Sequence, residues 1–152
     1  MKTRKILILT IVTALTLPIV SLAKDYRAEK PATWTAHSVD DAVKALYGDV
    51  QLIKSDDVIL KMPKITSSGG AVPVKIQSNI EAKSVSLFQN SNPESAVAVW
   101  KVFEGGIIDY NVKLKIKTFL DKSPSTVTVV VEGKDGKFYS ANASVKVAGG
   151  CE

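Results

Sequence analysis

One cysteine and one histidine occur among the 152 residues, and those two scarcities exclude more than any motif asserts. A single thiol, Cys151, cannot close an internal disulfide, so the fold must rest on its own apolar core. With His37 it makes too small a donor set for a zinc site without many carboxylates. No Cys-x-x-Cys-His segment offers haem attachment, and there is no glycine-rich phosphate loop and no nicotinamide or flavin fingerprint. The expectation is a chain with no cofactor and no metal. His37 stands just ahead of a helix start and far from Cys151 in sequence, so a surface or capping role suits it better than a catalytic pair. Aromatics are few and the lysines are dispersed, so no basic patch interleaved with stacking rings suggests nucleic acid. Internal repeats and low-complexity segments are absent as well.

Long apolar runs are missing except at the start. Ile6 to Val20 follows Lys2, Arg4 and Lys5 and leads into Ser21-Leu22-Ala23. The run falls short of the ~20 residues that span a bilayer, and its flanks are those of a secretory signal cut after Ala23. Arg4 stands alone before Lys5, which favours the general secretory route over a twin-arginine one. Cleavage removes three of the 20 basic residues and none of the 15 acidic ones, so the net charge falls from +5 to about +2. What remains is an exported chain with no membrane segment, long enough for one domain.

Residues 24–37 carry Pro31, several charges and little periodicity, and read as a mobile lead-in. Ser38 and Asp41 resemble a capping box, Val39, Ala42, Val43 and Leu46 fall at helical spacing, and Gly48 stops the helix. From Val58 the period becomes two. Val58 to Met62 is a strand ended by Pro63, and residues 67–70 form a turn. Val72, Val74 and Ile76 then alternate with Pro73, whose missing N–H predicts an edge or a bulge. Val85 and Leu87 continue the pattern up to the Asn90 to Pro93 loop. Ala96 to Phe103 is apolar on both faces and predicts a strand covered on both sides.

Tyr110, Val112, Leu114 and Ile116 alternate with Asn111, Lys113, Lys115 and Lys117, which read as a solvated face. Val127, Val129 and Val131 precede an Asp135-Gly136 turn, and Tyr139 to Val147 make the last strand. The sum is an all-β protein: an immunoglobulin-like β-sandwich of about seven strands with a short N-terminal helix, over residues 38–147. Trp34 and Trp100 read as packing residues or interface anchors. The glycosylation sequon at Asn142 lies within a strand and reads as chance.

Residues 148–152, Ala-Gly-Gly-Cys-Glu, form a flexible tail, because Gly149 and Gly150 have wide backbone freedom and nothing to pack. From Val147 the thiol of Cys151 could reach about 13 Å. That suits entry into another protein's pocket; it does not suit catalysis, since a loose tail cannot hold a nucleophile against a base. Glu152 and the chain-terminal carboxylate disfavour the thiolate, so the sulfur should react where a partner supplies positive charge. From the residues alone, Cys151 is a covalent attachment point, the site of an intermolecular disulfide in an exported interaction module, or incidental.

Three stretches bear a resemblance that bears on this choice: Gly69-Gly70-Ala71-Val72-Pro73-Val74, Asn92-Pro93 before a strand, and the ending Val145-Lys146-Val147-Ala148-Gly149-Gly150-Cys151. Together they resemble SoxY, the sulfur-compound carrier family of bacterial thiosulfate oxidation, over nearly all of residues 24–152. The resemblance implies a periplasmic, non-catalytic carrier paired with a SoxZ-like subunit as a heterodimer. It implies that thiosulfate is joined oxidatively to Cys151 by a c-type cytochrome partner. A hydrolase then releases sulfate, and where one is present a sulfane dehydrogenase oxidises the sulfur left behind. Gly69 to Val74 and the strand around Trp100 are the candidate contacts with the second subunit. One departure stands out: the family tail usually ends Gly-Gly-Cys-Gly-Gly, and here Glu152 follows the cysteine.

Overall fold

The computed structural model describes residues 24–117 and 123–148; residues 1–23, 118–122 and 149–152, and with them the expected signal and most of the expected tail, lie outside the described residues. The stretch expected to be a structureless lead-in carries two short helical segments. Helix α1, Tyr26–Glu29, is started by Asp25, whose carboxylate accepts from Arg27 N (2.9 Å) and Ala28 N (3.3 Å). A 3-10 turn, Pro31–Thr35, begins on a proline whose missing N–H costs nothing at that position. Trp34 Nε1 donates to Tyr26 O at 3.3 Å, and the Arg27 guanidinium lies 4.1 Å above the Trp34 ring. These local bonds hold a segment too short to show a periodic pattern.

Helix α2, Val39–Tyr47, forms as its sequence predicts. Ser38 Oγ accepts from Asp41 N at 3.1 Å, and Gly48 closes the helix at φ 86°, a left-handed value that favours glycine. Its apolar stripe of Ala42, Val43 and Leu46 packs on Phe88 and Val130. Propensity alone would not hold a helix of nine residues in water; the docking does.

Among the described residues nine strands follow: β1 Leu52–Lys54, β2 Val58–Lys61, β3 Ile65–Thr66, β4 Val72–Ser78, β5 Ala82–Gln89, β6 Ala96–Lys101, β7 Ile108–Leu114, β8 Ser125–Gly133 and β9 Phe138–Val147. They build two sheets. The larger runs β1-β9-β8-β5-β6, with β3 also pairing β9, and the smaller runs β2-β4-β7. The core lies between them, with Val72, Val74 and Ile76 facing Val85, Leu87, Val129 and Val145 among others. Each such side chain contributes roughly 1.5–3 kcal/mol when fully buried. Helix α2 covers the outer face of the larger sheet, so the sandwich gains a third layer.

That third layer changes which strands are covered twice. Strands β5 and β8 are buried on both faces, because Phe88 and Val130 point to α2 while Leu87, Val129 and Val131 point inward. Ala96–Lys101, expected to hold that position, is instead the edge strand β6 and only half-buried. Strand β4 is the middle strand of its sheet rather than an edge. Even so, β2 stops opposite Lys75, so Pro73 has a partner strand on one side only, opposite Lys113. The proline sits at a local edge inside a central strand. Strands β1 and β3 have no alternation to announce them. Both pair in parallel with β9, at Leu52↔Phe138 and at Thr66↔Val147.

Candidate functional site

Cys151, Gly149 and Gly150 lie outside the described residues; the base from which they depart does not. Strand β9 is held nearly to its last residue. Lys146 N donates to Lys64 O (2.9 Å) and Ala148 N donates to Thr66 O (2.8 Å), both across the short parallel pairing with β3. Val147 is 8% exposed and belongs to the core. The chain therefore runs as fixed backbone through Ala148.

The turn after β3 packs against this base. Thr66 Oγ1 donates to Ser68 O (2.9 Å), and Ser68 Oγ accepts from Gly70 N (3.2 Å). Gly69 O accepts from Ile116 N at 2.7 Å. A methyl group on Gly69 would land on Ile116 O, inside van der Waals contact, and within 3.5 Å of Val147 Cγ2. Glycine is required here by close approach and not by a left-handed φ. The 69–74 segment, a candidate partner surface in the sequence, thus places Gly69, Val72 and Val74 inside the chain and leaves Pro73 outward.

Around the base the surface is basic. Lys64 and Lys146 flank the departing strand, and Lys115 and Lys117 flank Ile116; all four are exposed. The alternation along β7 is as the sequence predicts, with Leu114 and Ile116 buried and Lys113, Lys115 and Lys117 outward. Strand β9 places Asn142 on its exposed face.

A cavity of about 520 Å³ opens on the same end of the molecule, between the edges formed by β6 and β7. Arg27 and Trp34 from the N-terminal turns form one wall, Asn92 and Glu94 another, and Lys113 and Lys115 the third. The buried Gln89 organises the middle wall. Its Oε1 accepts from Ser91 N (2.6 Å), Ser91 Oγ (2.8 Å) and Asn92 N (2.8 Å), while Nε2 donates to Glu94 O (2.6 Å). Asn92 Nδ2 donates to Lys115 O at 2.8 Å and ties the loop to β7. His37 Nδ1 donates to Pro93 O at 2.8 Å, which is the surface role expected of it. Asn92-Pro93 is therefore a loop anchored from three sides. No spacing in the sequence points to the cavity, because its walls come from residues 27 to 115.

A second polar cluster lies beneath α2. Tyr47 Oη donates to Ser86 Oγ (3.0 Å) and sits 3.1 Å from Ser84 Oγ, which donates to Glu132 Oε2 at 2.7 Å. Burial pushes the Tyr47 phenol up to about 12, against a smaller opposing effect of the two serines. The cluster is enclosed by helix and sheet and serves packing. Among the described residues no three His, Cys, Asp or Glu side chains are grouped to hold a metal, and no helix is long and apolar enough to cross a membrane. Trp100 packs at 5.0 Å from Tyr110, centroid to centroid.

The geometry can be set beside known proteins. A family model described as sulfur oxidation protein SoxY matches residues 43–151, from within α2 through the cysteine. Among solved structures, the sulfur carrier protein SoxY from Chlorobium limicola f thiosulfatophilum is 28% identical with a TM-score of 0.65. That match covers 79% of this chain and 98% of the other. A variant of the superoxide reductase (neelaredoxin) from Ignicoccus hospitalis gives a TM-score of 0.52 at 11% identity, over 62% of this chain and 93% of that one. The second likeness is one of fold alone. No curated protein matches the chain.

Proposed function

This chain belongs to the SoxY family and has a carrier role in sulfur oxidation, and we propose that it bears its cargo as a covalent adduct on Cys151. The observation that carries this reading is the extent of the family match. It runs to residue 151, so the chain's one thiol falls inside the shared region. Ala148, three residues earlier, is tied by a backbone hydrogen bond to Thr66. A thiol on a short glycine arm beyond a fixed base can be offered to several enzymes in turn, with no catalytic group of its own.

The chemistry balances as follows. The cysteine sulfur bonds to the outer sulfur of thiosulfate, the thiol proton leaves, and two electrons pass to a c-type cytochrome partner. A hydrolase adds water at the terminal sulfonate sulfur, releasing sulfate and leaving a persulfide on the protein. Where a sulfane dehydrogenase is present, it oxidises that remaining sulfur. The compartment is the periplasm, reached by way of the secretory signal over residues 1–23. The second subunit is a SoxZ-like protein, and strand β6 is where it docks. That edge has no outer neighbour among the described residues, and Phe103 and Ile107 just beyond it are 69% and 83% exposed.

Intact mass spectrometry of protein isolated from the periplasm tests the reading. It should show a chain beginning at Lys24 and, after exposure to thiosulfate and the oxidising partner, the added mass of a thiosulfate group or of sulfur. Reductant should remove that mass, and Cys151→Ser should never gain it. A wild-type chain that stays unmodified would defeat the proposal.

A further inference from the structure

The cavity between β6 and β7 holds an unbalanced set of charges. Arg27, Lys113 and Lys115 face it against the single carboxylate of Glu94, and none of the three cations makes a salt bridge among the described residues. A lysine row on a sheet is ordinarily just a solvated face, and Lys75 of the neighbouring strand shows that behaviour: it pairs with Asp109 at 3.5 Å. Lys113 and Lys115 differ in having a concave wall opposite them. They alternate with the buried Leu114 and Ile116 at and just past the end of β7, so on extended backbone they stand about 7 Å apart.

Arg27 is held for a purpose that packing alone does not require. Its guanidinium carbon lies 4.1 Å over the centre of the Trp34 ring, and the indole is itself fixed by the bond from Nε1 to Tyr26 O. No hydrogen bond or ion pair among the described residues occupies the N–H groups of this guanidinium, and such a group grips planar or tetrahedral oxyanions in pairs of hydrogen bonds. The opposite wall is set by Asn92 Nδ2 on Lys115 O, so the lysines and the arginine are presented by fixed backbone. The location matters too. Lys115 adjoins Ile116, which is bonded to Gly69, and Gly69 lies against Val147 at the foot of the cysteine arm.

We propose that this cavity is a binding site for a small sulfur oxyanion such as thiosulfate, gathered beside the arm before it is attached. The charge and shape argue for an oxyanion on their own; that the ion contains sulfur rests on the carrier reading above. The site works without Cys151, which allows the two ideas to fail separately.

The test uses the Cys151→Ser chain titrated with sodium thiosulfate, and with sodium chloride at matched ionic strength, while the Trp34 indole N–H and the Asn92 amide are followed by NMR. Thiosulfate should give saturable shifts that chloride does not. Arg27→Gln should weaken binding about tenfold, the scale of one charge-assisted hydrogen bond. The double variant Lys113→Gln/Lys115→Gln should do the same, and these exposed positions leave the fold intact if Arg27→Gln disturbs the N-terminal turns. Shifts that match chloride, or an affinity unchanged in the lysine variant, would overturn the site and leave adduct formation on Cys151 untouched. A saturable site in a chain whose wild type never forms an adduct would count against the carrier reading alone.

Discussion

The base of the cysteine arm makes its sharpest demand at Gly69, and Gly69→Ala measures it. The added methyl would occupy the space of Ile116 O, so either the 69–70 turn or the strand end at Ile116 must move. Overpacking of this kind costs about 1–3 kcal/mol. The movement also strains the Ile116 N to Gly69 O bond, now 2.7 Å, which is worth about 1 kcal/mol if lost. Against this, alanine restricts the unfolded chain and returns about 0.4–1 kcal/mol. The net expectation is a loss of about 2 kcal/mol, read as a lower urea midpoint at unchanged slope. Gly70→Ala is the control, because its methyl would meet only Ser68 Oγ at 3.5 Å, an ordinary contact. That variant should stay within about 0.5 kcal/mol of wild type. Hydrogen exchange at Ile116 and Ala148 should quicken in the first variant and not in the second. Equal midpoints for the two alanines would refute the close-approach argument.

Two further outcomes follow from other parts of the molecule. The Tyr47 phenol titrates near 10.0 when unfolded and is pushed up to about 12 by burial, so the folded state keeps its proton over that interval. Stability from this group is therefore full below pH 10 and is lost as pH climbs toward 12, by about 2–3 kcal/mol. Tyr47→Phe should forfeit about 1 kcal/mol at neutral pH through the serine bonds and should flatten the alkaline slope of the urea midpoint; an identical slope in both proteins would refute the assignment. At the β6 edge, Phe103→Glu and Ile107→Glu should each weaken binding of the second subunit by about tenfold or more while leaving the chain's own stability nearly unchanged. Unaltered affinity in calorimetry would move the interface elsewhere.

How much of this the sequence disclosed depends on where each element finds its stability. Helix α2 and strands β7 and β9 are legible because one face is buried and the other is wet, which writes a period into the residues themselves. Strand β8 shows its valines but hides its double burial, since Val130 looks like a surface position until α2 covers it. Ala96–Lys101 misleads in the opposite direction: its apolar residues suggest two covered faces, yet it is an edge left half-exposed. Strands β1 and β3 are three and two residues long and exist because β9 offers them backbone partners, a cause that no local pattern records. The N-terminal turns escape for the same reason, being held by the Asp25 cap and the Trp34 bond. Cys151 stands out in the sequence from scarcity alone, and it lies outside the described residues. The cavity does not stand out, since only folding brings Arg27 to Lys113.

The pairing of β9 with β3 also revises the reach of the arm. Counted from Val147, where alternation ends in the sequence, the thiol could travel about 13 Å. Ala148 is bonded to Thr66, so even a fully extended chain over residues 149 to 151 could carry the thiol no farther than about 10 Å from that point. An enzyme that takes Cys151 into a pocket of any depth must then bring its rim close to the sandwich itself. The surface it meets there carries Lys64, Lys146, Lys115 and Lys117, all exposed. On the proposed function, so short a reach makes delivery of the thiol depend on contact with the basic end of the domain. Partners with acidic rims are favoured by charge, and the attraction should weaken with salt. The same lysines would also hold a negatively charged adduct near the base between visits, which gives the end of the sandwich two uses for one set of charges.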